Sequence, residues 1–166
     1  MVMGMSLSNF TMLHVVISLL AIACGIVVLL GMLAGKPFDS LTTTFLVTTI
    51  LTSATGFFFP STQLLPSHIL GVISLIVLAI ALVGYFYYEL AGNWRWIYIA
   101  SATVALYLNV FVAIVQAFLK IPALRAMAPT QTEPPFLILQ GAALAVFVIL
   151  GAYAVKTFHP SLHRRA

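Results

Sequence analysis

Few side chains in this 166-residue chain can do chemistry, and the four histidines stand first among them. His14 and His68 each lie beside a long apolar run. Imidazole is a common axial ligand of haem iron, so two of them at matching depth suit a b-type haem. Gly71, just after His68, would leave space beside a flat ring, and Lys120 or Arg125 would pair with its propionates. Asn109, Gln116 and Gln140 add hydrogen-bonding groups in apolar surroundings. His14 and His68 are therefore candidate metal ligands, and Asn109, Gln116 and Arg125 complete a candidate cofactor site. The same groups would also line a quinone or lipid site, and the plainest use of the two imidazoles is hydrogen bonding to loop backbone. Met1, Met3, Met5 and Met12 precede His14, and thioethers suit Cu(I). His159 and His163 lie beside Arg164 and Arg165 and read as a solvated tail facing lipid headgroups rather than a metal site.

Other chemistries lack their parts. The chain has no GxxxxGK[ST], HExxH, GxSxG or CxxC motif. It has no Asp or Glu deep in an apolar run for a proton relay, and no Arg-rich span for voltage sensing. Hydrolase chemistry would need acids and bases that this sequence hardly has, so it does not read as an enzyme. Cys24 is the single cysteine and cannot form an intrachain disulfide. The 7 Lys/Arg against 3 Asp/Glu form no basic patch, which excludes a nucleic-acid partner.

The elements that would position these residues follow from composition. The chain is 63% hydrophobic and 6% charged, against roughly 25% charged in soluble domains. It cannot cover itself with a polar surface. A bilayer core about 30 Å thick needs about 20 apolar residues per helix. Runs of that kind span about 11–34, 41–59, 69–90, 94–119 and 136–155. They are continuous and too long for barrel strands. The expectation is an all-α bundle of five transmembrane helices in one domain covering residues 1–166, with the lipid bilayer as its first partner. Lys36, Arg95, Lys156, Arg164 and Arg165 fall at one end, and Lys120 and Arg125 at the other. The excess of positive charge marks the first end as cytoplasmic, with the N-terminus outside and the C-terminus inside. The N-terminus lacks the positive region of a removable signal peptide. Tyr85, Tyr87, Tyr88, Trp94, Trp96 and Tyr98 read as an interfacial aromatic belt.

Small and polar residues mark the faces that pack inside. His14, Ser18, Ala21 and Gly25 share one side of the first span, and Gly31 and Gly35 form a GxxxG. Thr48, Thr52 and Thr55 share a face of the second, with Thr49 and Ser53 beside them. Tyr98, Ala102, Ala105, Asn109, Ala113, Gln116 and Lys120 line the fourth. Gln140, Ala143 and Gly151 line the fifth. Nearly all unusual polar groups thus fall in the outer half, and the inner end shows only flanking charges. The Pro-rich segment over residues 128–136 lies over the same half, stiff and extended, as a connector, a cap or a partner contact.

Several stretches resemble a group of small five-span bacterial inner-membrane proteins of uncharacterised activity. They are Thr11-Met12-Leu13-His14, Ser53-Ala54-Thr55-Gly56-Phe57-Phe58-Phe59-Pro60, Pro66-Ser67-His68-Ile69, Trp94-Arg95-Trp96-Ile97-Tyr98, Ala105-Leu106-Tyr107-Leu108-Asn109-Val110-Phe111-Val112 and the loop over 128–136. The resemblance implies a bacterial inner membrane and brings no activity. Three functions remain: a membrane protein binding haem b for electron transfer, a non-catalytic accessory or assembly subunit of a complex or homo-oligomer, and a small-molecule or ion transporter. A polar path through the full membrane depth would mark the third.

Overall fold

The computed structural model describes residue 2, residues 4–60 and residues 66–160, and the side chains of all of these except 66 and 67. Met1, Met3, His163, Arg164 and Arg165 lie outside the described residues. The elements are helical throughout: α1 (Leu7–Leu33), α2 (Asp39–Gly56), α3 (Pro66–Leu82), α4 (Trp94–Lys120), α5 (Pro122–Met127) and α6 (Pro134–Thr157). A π-helical turn, Val83–Tyr87, continues α3. Among the described residues four helices are long and apolar enough to cross a membrane: α1, the His68–Tyr87 stretch, α4 and α6.

Local chemistry sets the helix ends. Ser6 caps α1 by accepting from the Asn9 amide at 3.2 Å. Gly35 ends α1 with φ +66°, and the amides of Gly35 and Lys36 donate to the carbonyls of Met32 and Gly31. Asp39 then opens α2, where a negative charge suits the helix dipole. α2 is rich in hydroxyls, and several satisfy themselves locally. The hydroxyls of Thr43, Thr44, Thr48 and Thr55 each donate to the carbonyl four residues back. The connection after α4 is not extended throughout. Pro122 starts the short helix α5, because proline at the first helical position gives up no hydrogen bond.

α4 is the hub. It packs against α3, α5 and α6, and also touches α1 and α2, while α1 lies between α2 and α6. α2 separates α1 from α3. Close approach requires small residues. A Cβ at Gly25 would stand 2.6 Å from Leu106 Cδ1 and 2.8 Å from the Phe45 ring. Ala21, Ala81, Ala105 and Ala154 are fully buried. Side-chain hydrogen bonds tie the helices: Asn109 Nδ2 donates to Thr49 Oγ1 at 3.1 Å, and Ser53 donates to Ser74 at 3.0 Å. Gln140 Nε2 donates to the Phe111 carbonyl at 3.2 Å, and Gly151 rests on Thr103. The Gly31–Gly35 pair is used within the chain, since Phe38 covers Gly31 and Gly35 forms the turn.

Gly25→Val inserts a branched side chain where three helices meet. Overpacking of this kind costs about 1–3 kcal/mol. The detergent-solubilised variant is expected to melt several degrees below the wild type. Gly141→Val, where a Cβ meets nothing within 4 Å, is the control that stays unchanged.

Candidate functional site

A cavity lies at the Lys36 end, away from His14 and His68. Three backbone features build it. The tight turn at Gly35 returns the chain so that Asp39 and Thr42 form one wall. The π-helical turn over Val83–Tyr87 carries Tyr85, and the Leu90 amide reaches back to the Gly84 carbonyl at 3.0 Å. π-turns of this kind recur at functional sites. Glu89 and Leu90 follow with φ of 47° and 63°, both left-handed and neither glycine. Such residues persist only where the surroundings enforce them. Gly84 lets α3 close on α4, since a Cβ there would stand 3.2 Å from Tyr98 Cβ.

Side chains fix the remaining walls. Arg95 Nη1 donates to the carbonyls of Val155 and Phe158, both at 2.7 Å. These belong to the last turn of α6 and the residue after it, where a cation is favoured. Thr157 donates to the Met32 carbonyl at 3.1 Å, so α1, α4 and α6 are tied at this end. Tyr88 stacks on Trp94 with ring centroids 4.2 Å apart, closing the turn between α3 and α4.

The cavity is about 90 Å³. Drug-sized ligands need roughly 300 Å³ or more, so the cavity suits a smaller one. Its base is formed by Tyr98, which is 1% exposed, with the Tyr85 ring tilted against it at 5.1 Å. The Tyr85 hydroxyl donates to Asp39 Oδ1 at 2.7 Å. The buried Tyr98 hydroxyl has the Thr42 side chain as its hydrogen-bonding neighbour. Asp39, Glu89 and Lys36 stand at the exposed mouth.

This arrangement differs from the expectation that the Lys36 end carries only flanking charges. Tyr85 and Tyr98 read in sequence as belt aromatics, but both are buried and face the cavity. The available signal was that two of the chain's three acidic residues, Asp39 and Glu89, bracket this end.

The His14 end holds the residues singled out from sequence. His14 Nδ1 lies 2.8 Å from Thr55 Oγ1. That hydroxyl already donates to the Leu51 carbonyl at 2.6 Å, so it accepts from Nδ1–H and leaves the lone pair on Nε2. The Phe59 ring meets the His14 ring edge-on at 5.1 Å. His68 stacks on Phe57 at 5.7 Å, so the two imidazoles rest on different rings of one short segment. Phe57 also fills the space that Gly71 leaves, since a Cβ there would stand 3.0 Å from its ring. Asn109 is buried against Thr49, deeper in the bundle. Gln116 on α4 and Arg125 on α5 are exposed and are not gathered into an enclosed site. Among the described residues no three His, Cys, Asp or Glu side chains gather to hold a metal.

The segment between α5 and α6 folds around Glu133. Its carboxylate accepts from the Thr130 amide at 3.1 Å, the Thr130 hydroxyl at 2.9 Å and the Thr132 amide at 3.0 Å. Gln131, with φ 60°, donates to the Val115 carbonyl at 2.9 Å and pins the segment to α4. Desolvation opposes ionisation of Glu133, but the hydrogen bonds from Thr130 and Thr132 outweigh it and hold the pKa below its ordinary 4.5. A depressed carboxyl stabilises the turn fully above the ordinary pKa and ceases to do so as pH falls through the lower folded value. The amide resonances of Thr130 and Thr132 are therefore expected to titrate together with a midpoint below 4.5 and to stay flat in Glu133→Gln. A midpoint at or above that value would contradict the turn.

No family model, no curated protein and no solved structure matches the chain, so its function is argued from its own side chains.

Proposed function

We propose that the chain is a five-span protein of a bacterial inner membrane that binds a small polar molecule in the cavity at its cytoplasmic end. The fifth span is α2. Its 18 residues extend about 27 Å at about 1.5 Å per residue, close to the bilayer core, and it packs between α1 and α3. Lys36, Arg95 and Lys156 lie at the cavity end and Lys120 and Arg125 at the other, which favours an outside N-terminus and a cytoplasmic C-terminus.

The carrying observation is the cavity itself, walled by the buried rings of Tyr85 and Tyr98, with the Tyr85 hydroxyl donating to Asp39 and left-handed Glu89 and Leu90 among its lining residues. The Tyr85 hydroxyl in the cavity is engaged by the Asp39 carboxylate, and the role proposed for the cavity is binding.

A b-type haem between His14 and His68 is the second reading. It is favoured by the His14 Nδ1–Thr55 contact, which leaves Nε2 for a metal as in most imidazole ligands. It ranks behind the cavity because the Phe57 ring fills the space beside Gly71 that a porphyrin would need. A transporter reading meets a dry barrier, since Phe45, Leu46, Ile99 and Leu106 are buried between the cavity and Asn109. A subunit role in a larger complex does not compete with ligand binding.

Tyr98→Phe removes one oxygen and keeps the ring. If the hydroxyl serves a ligand, the ligand-free variant in detergent should melt at or above the wild-type temperature. Wild-type protein released gently from its membranes should retain a small adduct in native mass spectrometry that the variant loses. A hydroxyl that holds the fold gives the opposite result, a drop of about 2–4 °C per kcal/mol and no difference in adduct. Topology is checked with Asn93→Cys and Arg125→Cys in a Cys24→Ala background. A membrane-impermeant maleimide should label position 125 in intact cells and position 93 only after permeabilisation.

A further inference from the structure

The far end of α4 does not run into an open loop. Its last turn carries Leu119 and Lys120, and the chain bends at Ile121 into α5, which Pro122 starts. The bend is held from beneath. Leu124 packs on Phe118, Ala128 and Phe136, and the rings of Phe118 and Phe136 meet edge-on at 5.3 Å. Gln131 then pins the following segment to the Val115 carbonyl. A fixed corner therefore stands where α4 leaves the apolar core.

The corner shows two chemistries side by side. Leu119, Ile121 and Met127 are 46%, 48% and 55% exposed. Lys120 and Arg125 are exposed among them. Apolar side chains interleaved with cations suit the boundary between acyl chains and headgroups, where both kinds are satisfied. The cations are not answered within the chain. Of the 3 acidic residues, Asp39 and Glu89 lie at the opposite end, and Glu133 is taken up by Thr130 and Thr132. Among the described residues no carboxylate pairs with Lys120 or Arg125.

We infer that this corner docks an anionic phospholipid of the adjoining leaflet. Lys120 and Arg125 take the headgroup phosphate, and Leu119, Ile121 and Met127 lie against the acyl chains. A guanidinium can grip a phosphate through two parallel N–H bonds, and both cations ride on long apolar stems that reach the phosphate plane. Each cation beside an anionic surface is worth about fivefold in binding. A soluble anion would use the cations and leave the exposed apolar side chains without a role. The inference is independent of the cavity at the Lys36 end.

Native mass spectrometry of the full chain in detergent, supplied with equal phosphatidylglycerol and phosphatidylcholine, reads the preference directly. Wild type should retain phosphatidylglycerol over phosphatidylcholine. Lys120→Gln and Arg125→Gln should each cut that preference about three- to fivefold. Lys156→Gln removes one cation from the other end and should cut it by less than about twofold. Exchanging the pair, Lys120→Arg with Arg125→Lys, should keep it. These side chains are exposed, so every variant should melt with the wild type in detergent alone. Millimolar inorganic phosphate should leave the lipid in place. A nitroxide on Met127→Cys in the Cys24→Ala background, in nanodiscs, should collide more with oxygen than with a nickel chelate. Four results each overturn the lipid assignment. They are a preference that survives Lys120→Gln and Arg125→Gln or falls equally with Lys156→Gln, loss in the charge-conserving exchange, a Met127 position that meets the nickel chelate first, and displacement by phosphate, which would give the corner to a free anion.

Discussion

Helices in a bilayer gain little by hiding leucine from lipid, because the tails are as apolar as the side chain. Association depends on close packing and a few polar contacts. In this chain that requirement converges on α4. Tyr98, Ala102, Ala105 and Asn109 form one buried stripe along it, and Gly25 and Phe45 close on that stripe from α1 and α2. The large apolar side chains that remain exposed, such as Ile138, Val148 and Ile149 on α6, face outward where lipid would satisfy them. Everything positioned by α4 inherits its rigidity. That includes Asn109 in mid-bundle and Tyr98 near the Lys36 end.

The two ends of the bundle spend that rigidity differently. At the His14 end several polar groups find partners within the chain, His14 with Thr55, Gln131 with the Val115 carbonyl and Glu133 with Thr130 and Thr132, while Thr52 Oγ1 and Gln140 Oε1 are buried without one. At the Lys36 end Arg95 and Thr157 tie the helix termini, and the cavity there has left-handed Glu89 and Leu90 among its lining residues. Left-handed backbone at two non-glycine residues acts against stability. Strain of this kind gathered in one place points to a use beyond folding.

The helices were legible in the sequence because apolar run length is a direct physical requirement of the bilayer. Gly35-Lys36-Pro37 marked the first turn, and Pro134 and Pro135 marked the start of α6. Boundaries moved where local chemistry intervened. The run over 69–90 divides into α3, a π-turn and two left-handed residues, and no periodicity reports a π-turn. The site was less legible. Composition drew attention to His14 and His68, rare groups in apolar surroundings, whereas Tyr85 and Tyr98 look like ordinary interfacial aromatics. Their burial depends on Gly84 letting α3 approach α4, a pairing that one sequence does not disclose. Gln116 shares a helical face with Asn109 but lies where α4 emerges from the bundle, so periodicity placed it inside and packing left it exposed.

Depth separates binding from conduction here. Polar groups on α2 recur from Asp39 and Thr42 through Thr49 and Ser53 to Thr55, and these five meet a polar neighbour or the cavity, whereas Thr52 between them does not. Read along α2 alone, that series looks like a path. Phe45 and Leu46 interrupt it, buried to 1% and 0% exposure, with Ile99 and Leu106 against them on α4. The remaining void at that level is about 10 Å³ and is lined mainly by apolar groups, below what a hydrated ion needs. The apolar layer formed by Phe45, Leu46, Ile99 and Leu106 therefore keeps the two polar ends of the bundle apart.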